Sequence, residues 1–339
     1  MVLCEIADNY AGGSFILTWI ALGVIGLTSI MVSSGTVFYF YYWPSQVTYE
    51  KWTRKSNPRF PSPEKVRDEI VQMLKGMSSA LLCPAASLWL AARGKNQAYC
   101  GLDGPTPGTS GWGYIIGTFA FTMIVSDFWE FFYHRLGHIY PAFWSQHKHH
   151  HVFFNPSPFA VIADEYLDQF MRATPMLVFP LLLPINMDML FFQYGLFFYA
   201  YGVYLHWGFE VDCLSAHNPI INTAFQHYCH HAKSIIGKPY HCGFFFKCWD
   251  QLFGCTYDRP CFCAACARAK GERSREAFAK LGKVPDYGVL LSPAFWFRAE
   301  TLSGTSARDT NALLSAADRA KTVGGGEEDE VVGEKKKAS

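Results

Sequence analysis

Every histidine in this chain of 339 residues lies in one stretch, between His134 and His241. The 12 histidines form an HxxxH pair, two HxxHH triplets and a few isolated positions. We call the three groups box 1 (His134, His138), box 2 (His147, His150, His151) and box 3 (His227, His230, His231). Residues three or four apart share one face of an α-helix. The pattern therefore predicts converging imidazoles that hold metal ions, and a fold that brings three distant boxes to one place.

The number of box histidines indicates more than one ion. Eight imidazoles exceed the four ligands of a tetrahedral ion, whereas two ions that each keep an open position accommodate them. Imidazole binds Fe, Zn, Cu and Ni, so the spacing does not identify the metal. We expect two histidines to lie outside the site. His149 occupies a middle position of box 2, off the shared face, and His217 precedes Asn218-Pro219 in a predicted loop.

The rest of the chain is typical of a membrane protein. Only 17% of residues are charged, below the usual quarter or so of a soluble protein. Residues 9–49 contain no charge, and Phe15 to Tyr42 is long enough to cross a bilayer. Residues 50–75 carry seven Lys and Arg, which predicts a cytosolic loop and a lumenal amino terminus. The net charge of +1 gives no indication of nucleic-acid binding, and no such partner is predicted.

Three further apolar stretches follow. Met77 to Ala92 either spans a thinned bilayer or forms a re-entrant segment. Trp112 to Ser126 begins a span that runs directly into box 1 and projects into the cytosol. Ala173 to Phe209 separates boxes 2 and 3. Because these boxes must meet on one side, we predict a helical hairpin with its turn near Pro184 to Asp188.

The predicted fold is an all-α, polytopic membrane protein. It has about four transmembrane helices, one pair of them as a hairpin, and a cytosolic, helical, histidine-rich cap that holds a di-metal site. We predict three regions: membrane helices with a basic cytosolic loop in 1–110, a catalytic domain in 111–258, and a polar C-terminal region with a disordered tail in 259–339.

The motifs resemble those of a known family. HRLGH, HKHHH and HYCHH are similar to the HxxxH, HxxHH, HxxHH set of the fatty acid hydroxylase/sterol desaturase superfamily. NPSPFA, from Asn155 to Ala160, resembles a PTPFA-like stretch of sterol C-5 desaturases. Tyr240 to Tyr257 is similar to the family's closing segment, with Cys248 in place of a Phe. The resemblance covers roughly residues 115–258, and the sterol C-5 desaturases are the members most similar to this chain.

The resemblance implies a non-haem di-iron enzyme that faces the cytosol from a multi-pass position in the endoplasmic reticulum membrane. Its co-substrate would be O2, and its electron donors cytochrome b5 and its reductase. The implied function is O2-dependent C-5(6) desaturation of a Δ7-sterol in sterol biosynthesis. The alternatives within the family are a C4-methylsterol monooxygenase and a sphingoid-base or fatty acyl hydroxylase. A non-catalytic metal-binding membrane protein is an alternative of a different class.

The resemblance also implies roles for individual residues. His206, in LHWGFE, resembles an H-x-G element of sterol-modifying members and is expected to be a ligand, while His241 is a candidate further ligand. Four acidic residues are candidates for orienting ligand imidazoles: Asp127, Glu130, Asp164 and Glu210. The expected iron ligands are His134, His138, His147, His150, His151, His206, His227, His230 and His231.

Two features lie outside these motifs. Cys255, Cys261, Cys263 and Cys266 form a cluster after box 3. It is open to interpretation as a zinc site, as palmitoylation sites or as ordinary reduced thiols, and the sequence shows no second well-spaced Cys or His pair to complete four ligands. The chain ends in Lys336-Lys337-Ala338-Ser339, which resembles a dilysine retrieval signal and predicts a cytosolic C-terminus.

Overall fold

The computed structural model describes residues 13–102, 104–105 and 111–297. These residues are mainly helical, with one pair of two-residue strands. The α-helices are α1 (Phe15–Tyr42), α2 (Tyr49–Trp52), α3 (Pro63–Ala80), α4 (Leu82–Ala91), α5 (Gly111–Ile139), α6 (Pro141–His147), α7 (Tyr166–Ala173), α8 (Pro175–Leu182), α9 (Met187–Gln193), α10 (Tyr201–His206), α11 (Ala224–Lys233), α12 (Cys248–Leu252), α13 (Ala264–Ala269), α14 (Arg275–Ala279) and α15 (Pro293–Trp296). The remaining elements are 3-10 helices at Pro44–Gln46, His150–Val152, Pro158–Ile162 and Tyr287–Leu291, a π-helical segment at Tyr194–Ala200, and strands β1 (Ala98–Tyr99) and β2 (Ile185–Asn186).

Helices α1 and α5 are long and apolar enough to cross a membrane. They contain 28 and 29 residues, with mean hydropathies of 2.2 and 1.4. The outer face of α1 exposes large apolar side chains, among them Ile16, Val24 and Val32. A water-soluble protein rarely exposes such a continuous apolar face, whereas a lipid-facing helix requires one. These two helices agree with the prediction of a membrane protein.

The polar segment predicted as a cytosolic loop is partly helical. The Ser62 side chain accepts a hydrogen bond from the Lys65 N–H at 3.4 Å, and Pro63 occupies the first turn of α3, where its missing N–H costs nothing. This helix is amphipathic, because every third or fourth residue is apolar and buried, as the positions Val66, Ile70, Met73 and Met77 show. The predicted stretch from Met77 to Ala92 is divided between the end of α3 and α4.

The chain between boxes 2 and 3 forms the predicted hairpin. Helix α8 leads away from box 2, and α9, the π-helical segment and α10 lead back to His206. Between these two arms lies β2, which pairs in parallel with β1. Tyr114, in the first turns of α5, donates its hydroxyl to the Pro184 carbonyl at 2.8 Å. The turn of the hairpin therefore lies beside the amino-terminal end of α5, far from box 1 at the other end of that helix.

The carboxyl-terminal ends of α1, α5 and the hairpin meet on the opposite side. The Tyr42 hydroxyl, at the end of α1, donates to the Trp207 carbonyl at 2.7 Å. Box 1 ends α5, and His206 ends α10. Helix α11, with box 3, packs against α10. The fold thus collects all three boxes at one end of its long helices. The predicted disordered tail and the dilysine sequence lie outside the described residues.

Candidate metal centre

The structure brings nine histidines into two adjacent buried groups. Within each group the candidate ligand atoms lie within 4.8 Å of one another. The five-histidine group consists of His134, His138, His147, His151 and His230. The four-histidine group consists of His150, His206, His227 and His231. These are the nine histidines that the sequence indicated as ligands, and each group is large enough to bind one metal ion.

The spacing within a box determines which group a histidine joins. Residues four apart fall in the same group, as His134 and His138 do, and likewise His147 with His151 and His227 with His231. The i+3 member of each triplet, His150 or His230, turns into the other group. Boxes 2 and 3 therefore contribute to both groups. This interleaving fixes the distance between the two groups, because both are built on the same short segments of chain.

Box 1 approaches box 2 at a glycine. A Cβ atom on Gly137, inside α5, would lie 2.9 Å from Cγ of His147. Real Cβ atoms essentially never come this close to another heavy atom. The glycine of HRLGH therefore lets the imidazole of His147 lie directly against helix α5.

The spacing of box 2 predicted one continuous α-helix, but the structure does not contain one there. Helix α6 ends at His147, and a separate 3-10 helix begins at His150. This tighter helix turns His150 toward Ala163, whose carbonyl lies 3.3 Å from His150 Nδ1. Boxes 1 and 3 do lie on α-helices, α5 and α11. The convergence of box 2 thus depends on a local change of helix type that the histidine spacing alone does not show.

Backbone carbonyls orient several of the imidazoles. The Nδ1 atom of His134 lies 3.0 Å from the Cys242 carbonyl, and that of His206 lies 2.8 Å from the Gly202 carbonyl. His230 makes the same kind of contact, at 2.7 Å, with Tyr240. A carbonyl can only accept, so Nδ1 must carry the proton. The lone pair of each ring then resides on Nε2, which is the arrangement of a metal-ligating histidine whose other nitrogen is hydrogen-bonded.

A buried acidic network supports box 2. Asp168 Oδ2 lies 2.9 Å from His147 Nδ1, and Asp164 Oδ1 lies 3.2 Å from His150 Nδ1. Arg172 balances this charge: its Nε is 2.9 Å from Glu130, and its guanidinium is 3.9 Å from Asp164. Burial opposes ionisation of Asp168, but the contact with His147 prevails and lowers its pKa. The Asp168 carboxylate therefore supports the five-histidine group through His147, whereas burial raises the pKa of Asp164, which lies beside His150.

Asp168 was not predicted from the sequence. It follows Asp164 by four residues and precedes Arg172 by four, a spacing that places Asp168 and Arg172 on one face of α7. This spacing could have identified Asp168 as a candidate from the sequence. Glu130, in contrast, contacts Arg172 rather than a histidine, so its influence on the imidazoles is indirect.

Two predicted acidic partners lie elsewhere in the structure. Asp127 accepts hydrogen bonds from the backbone N–H groups of Phe245 and Phe246 and from the indole of Trp249. These bonds fix the segment after box 3 onto α5, which is a structural role. Glu210 accepts from the backbone N–H of Ala264 at 2.7 Å and from Ser56 at 3.2 Å. Its carboxylate binds the C-terminal segment instead of orienting His206.

The remaining histidines lie outside both groups. His241 is half-buried with a φ of 49°, and its Nε2 accepts the Tyr257 N–H at 3.4 Å. It belongs to neither histidine group, so the structure does not support it as a ligand. His149 is partly exposed and lies 3.8 Å from Glu165. His217 is exposed and lies beside three cysteines.

Burial keeps the cap histidines neutral. The pKa values of His150, His227 and His231 are lowered well below the ordinary range, first by desolvation and then by the neighbouring histidines. A neutral imidazole is the form that binds a metal. The site is therefore ready to accept a cation without first releasing protons from these rings.

The nitrogen positions fit bound metal ions. Nε2 atoms lie 3.0 Å apart between His147 and His151 and 3.1 Å apart between His227 and His231. Ligand nitrogens that lie about 2.1 Å from one ion are separated by roughly 3.0 to 3.4 Å. The buried Nε2 of His134 has no hydrogen-bond partner in the described chain. A buried polar atom without a partner is costly, and a metal ion in the five-histidine group would provide one.

An apolar cavity lies among the membrane-length helices. It has a volume of about 360 Å³ and lies between α1, the junction of α3 and α4, and the π-helical segment. Tyr194 and Tyr199 line it and also line a narrower cavity of about 40 Å³ that reaches Glu130 and Arg172. Arg172 lies 3.9 Å from Asp164, so the narrower cavity ends at the buried acidic network beside box 2.

The fold is mainly helical with two helices long enough to span a membrane, and it carries a buried polyhistidine cluster that could hold metal ions at one end of these helices. The sequence model described as fatty acid hydroxylase matches residues 119–255. Over these residues the chain is similar to the fatty acid hydroxylase family, as its histidine boxes predicted, and its relatives include sterol C-5 desaturases.

Individual relatives support the same placement. A Δ7-sterol 5(6)-desaturase of Aspergillus fumigatus is 32% identical over 247 residues, which is 73% of this chain and 62% of that protein. A Δ7-sterol 5(6)-desaturase of Schizosaccharomyces pombe is 25% identical, covering 73% of this chain and 67% of that protein. A lathosterol oxidase of Mus musculus is 26% identical over 56% of this chain and 60% of that protein. The chain thus spans less than two thirds of the Aspergillus and mouse proteins. No solved structure matches the chain.

Proposed function

We propose that this protein is a membrane-bound non-haem di-iron oxidoreductase that desaturates a Δ7-sterol at C-5(6), using O2. The observation that carries the proposal is the pair of adjacent buried histidine groups in a chain whose relatives include proteins named Δ7-sterol 5(6)-desaturase and lathosterol oxidase. Formation of one double bond removes two hydrogens from the sterol. With two electrons and two protons from a donor, O2 is then reduced to two molecules of water.

The ligands would come from the two histidine groups, five for one ion and four for the other. Two iron ions, when bound, supply the oxidising power needed to remove hydrogen from an unactivated C–H bond. The chain's own contribution is to position and protect them. Asp168 holds the proton of His147 on Nδ1, and the Ala163 carbonyl does the same for His150. The burial of both groups excludes bulk water.

The apolar cavity is the proposed route for a lipid. Its lining includes Ile25, Leu81, Met176 and Phe191, which offer apolar contacts and few polar ones. Such a lining suits a largely apolar ligand that enters from the bilayer. The hydroxyls of Tyr194 and Tyr199 lie where the cavity narrows toward the metal site. A sterol, which carries one polar group on a rigid apolar body, fits this chemistry.

We propose that the protein lies in the endoplasmic reticulum membrane with the metal site toward the cytosol. The positive charge of residues 50–75 supports this orientation. Cys100 is disulfide-bonded and follows β1, at the end of the fold opposite the histidines. Disulfides persist in oxidising compartments, so this end suits the lumen. Cytochrome b5 and its reductase, the proposed electron donors, would then reach the site from the cytosol.

The placement of Glu210 bears on the main alternative. A pairing of His206 with Glu210, four residues later, would favour a C4-methylsterol monooxygenase. The structure brings His206 into the four-histidine group but directs Glu210 to Ala264. The geometry therefore provides no acidic partner for His206 at this position, and C-5 desaturation is the better supported reaction.

The test is sterol profiling in cells that lack their own Δ7-sterol 5-desaturase and express this chain. We expect Δ7-sterols to decrease and 5,7-dienes to appear. The variant His230→Ala should lose this conversion while remaining in the membrane, because it removes a ligand that lies 3.0 Å from His151. His149→Ala, outside both groups, serves as the matched control. Unchanged Δ7-sterol with normal expression would overturn the reaction, and turnover in His230→Ala would overturn the site.

A further inference from the structure

A second potential metal site lies outside the histidine centre. His217, Cys261, Cys263 and Cys266 have their ligand atoms within 4.8 Å of one another. The Nε2 of His217 lies 3.9, 3.5 and 3.3 Å from the sulfurs of Cys261, Cys263 and Cys266, respectively. The sequence showed the three cysteines but no fourth ligand. The fold provides it from a loop 44 residues earlier in the chain.

The distances fit a tetrahedral ion. With a metal–sulfur bond of about 2.3 Å and a metal–nitrogen bond of about 2.1 Å, sulfur and nitrogen ligands are separated by roughly 3.6 Å. The three observed separations lie on both sides of this value. Three thiolates and one imidazole are a ligand set of structural zinc sites. Because all four positions are protein ligands, no open position remains for a substrate.

The backbone is arranged to support thiolates. The N–H of Cys263 points to the Cys261 sulfur at 3.5 Å, and the N–H of Cys266 points to the Cys263 sulfur at 3.4 Å. Cys263 is also the residue that caps helix α13. Burial raises the pKa of the Cys261 and Cys263 thiols, so a bound ion together with these N–H groups would stabilise the thiolates that metal binding requires.

The fourth ligand is held from both sides. The Lys247 ammonium donates to the carbonyl of Ala216 at 3.1 Å and also to the carbonyl of Asn218. These are the residues immediately before and after His217. Glu210, at the start of the same connection, accepts from Ala264 in the first turn of α13. His217 is thus fixed against the cysteine loop by contacts that do not involve the cysteines.

We propose that His217, Cys261, Cys263 and Cys266 bind a structural zinc ion that fastens the C-terminal segment to the loop before box 3. Helix α11 rests on this unit, because Phe225 packs against the ring of Phe262 with centroids 5.0 Å apart, and Cys229 lies in the same apolar cluster as Cys263. The ion therefore stabilises the helix that presents box 3. Cys255, the fourth cysteine of this stretch, instead packs with Phe131 and Cys242.

The first test is metal analysis of the full chain purified in detergent under reducing conditions. We expect about one zinc per chain, together with the metal of the histidine groups. X-ray absorption at the zinc edge should show sulfur ligands at about 2.3 Å, which distinguishes this site from zinc bound by histidines alone. Absence of zinc–sulfur scattering, with the three thiols free to react or carrying an acyl chain, would overturn the proposal.

Variants provide the second test. Cys266→Ser and His217→Ala should each lower the zinc content roughly tenfold or more, while His217→Cys should retain zinc because it keeps four ligands. Cys213→Ser is the matched control, since Cys213 is a free, exposed cysteine in the same connection. Equal zinc in all variants would refute the assignment. Zinc content is measured independently of sterol turnover, so this proposal and the proposed function can fail separately.

Discussion

Asp168 shows how one carboxylate prepares an imidazole for a metal. It lies 2.9 Å from Nδ1 of His147 and is itself buried. This contact places the proton on Nδ1, leaves the lone pair on Nε2 and increases the basicity of the ring. In the other group the Ala163 carbonyl, 3.3 Å from Nδ1 of His150, takes this place, and Asp164 lies beside the same ring at 3.2 Å. Arg172 keeps these carboxylates from accumulating uncompensated negative charge.

Asp168→Asn tests this role. Asparagine is nearly isosteric and can still accept a hydrogen bond, but it removes the charge. We expect metal affinity in the five-histidine group to fall by about 10- to 100-fold, with the fold retained. The measurement is metal content after dialysis against graded chelator. Asp212→Asn is the control, because Asp212 pairs with Arg54 at an exposed position. Equal retention by both variants would show that Asp168 does not support the metal.

At the scale of elements, the histidine periodicity predicted which histidines would come together. It did not predict how they would be distributed between the two groups. Helical spacing placed His227 and His231 together, and the structure does so on α11. The hairpin followed from the need to return box 3 to the side of box 2. His150 and His230 each lie in a different group from the other histidines of their box. This arrangement depends on how the separate segments of chain are rotated relative to one another. Spacing within a single segment carries no information about that rotation.

Long-range contacts account for the other differences. Glu210 was predicted to orient an imidazole because it follows His206 by four residues, yet its carboxylate accepts a hydrogen bond from the backbone N–H of Ala264, 54 residues later. His217 seemed an isolated loop histidine until the fold placed it beside Cys266. The histidine boxes could be paired from the sequence because their spacing marks them as one ligand set. The pairs of Glu210 with Ala264 and of His217 with Cys266 carry no such mark, and only the structure revealed them.

Gly137→Ala tests the packing of α5 against box 2. The added methyl would lie 2.9 Å from the imidazole of His147, so this ring must shift even though alanine favours the helix. We expect loss of metal and of turnover, with a helix content close to that of the parent. Gly113→Ala is a suitable control, because a Cβ at that position of the same helix meets nothing within 4 Å. Normal metal content in Gly137→Ala would contradict the close packing.

A bulky side chain placed in the apolar cavity tests whether the substrate uses this cavity. Gly195 lines it, and a Cβ there meets nothing within 4 Å. The variant Gly195→Phe should therefore fill space without displacing neighbours. We expect a decrease of at least about tenfold in kcat/KM for a sterol, with metal content unchanged, because the obstacle excludes substrate rather than metal. Gly117→Phe, an equally open position on α5 that does not line the cavity, should keep parental turnover. If both variants retain activity, the substrate uses another route.

At the scale of the whole molecule, the two histidine groups join distant parts of the fold. Its nine histidines come from α5, box 2, α10 and α11, which are separated by long stretches of chain. Without ions, these segments meet through buried imidazoles whose lone pairs face one another at about 3 Å. Bound ions would replace this repulsion with bonds. The histidine centre therefore links the membrane helices with the cap, and its occupancy should govern the stability of both.

Metal removal and pH test this coupling together. A ligand at 1,000 times its Kd stabilises the native state by about 4 kcal/mol, so chelation should lower the unfolding temperature in detergent. The stripped protein should also be sensitive to acid. His150, His227 and His231 have lowered pKa values in the folded state, so below about pH 6.5 the unfolded chain binds protons that the folded chain does not.

Each of these histidines then costs about 1.4 kcal/mol of stability per pH unit as the pH falls toward its folded pKa. Above pH 6.5 their contribution is constant. We expect the unfolding temperature of the stripped protein to be level from pH 8 to about 7 and to fall steeply toward pH 5.5. His227→Gln, which removes one of the buried titrating groups, should reduce the slope, whereas His149→Gln at the half-exposed position should affect it little. A stripped protein equally stable at pH 7.5 and 5.5 would show that the buried histidines do not couple the cap to the membrane helices.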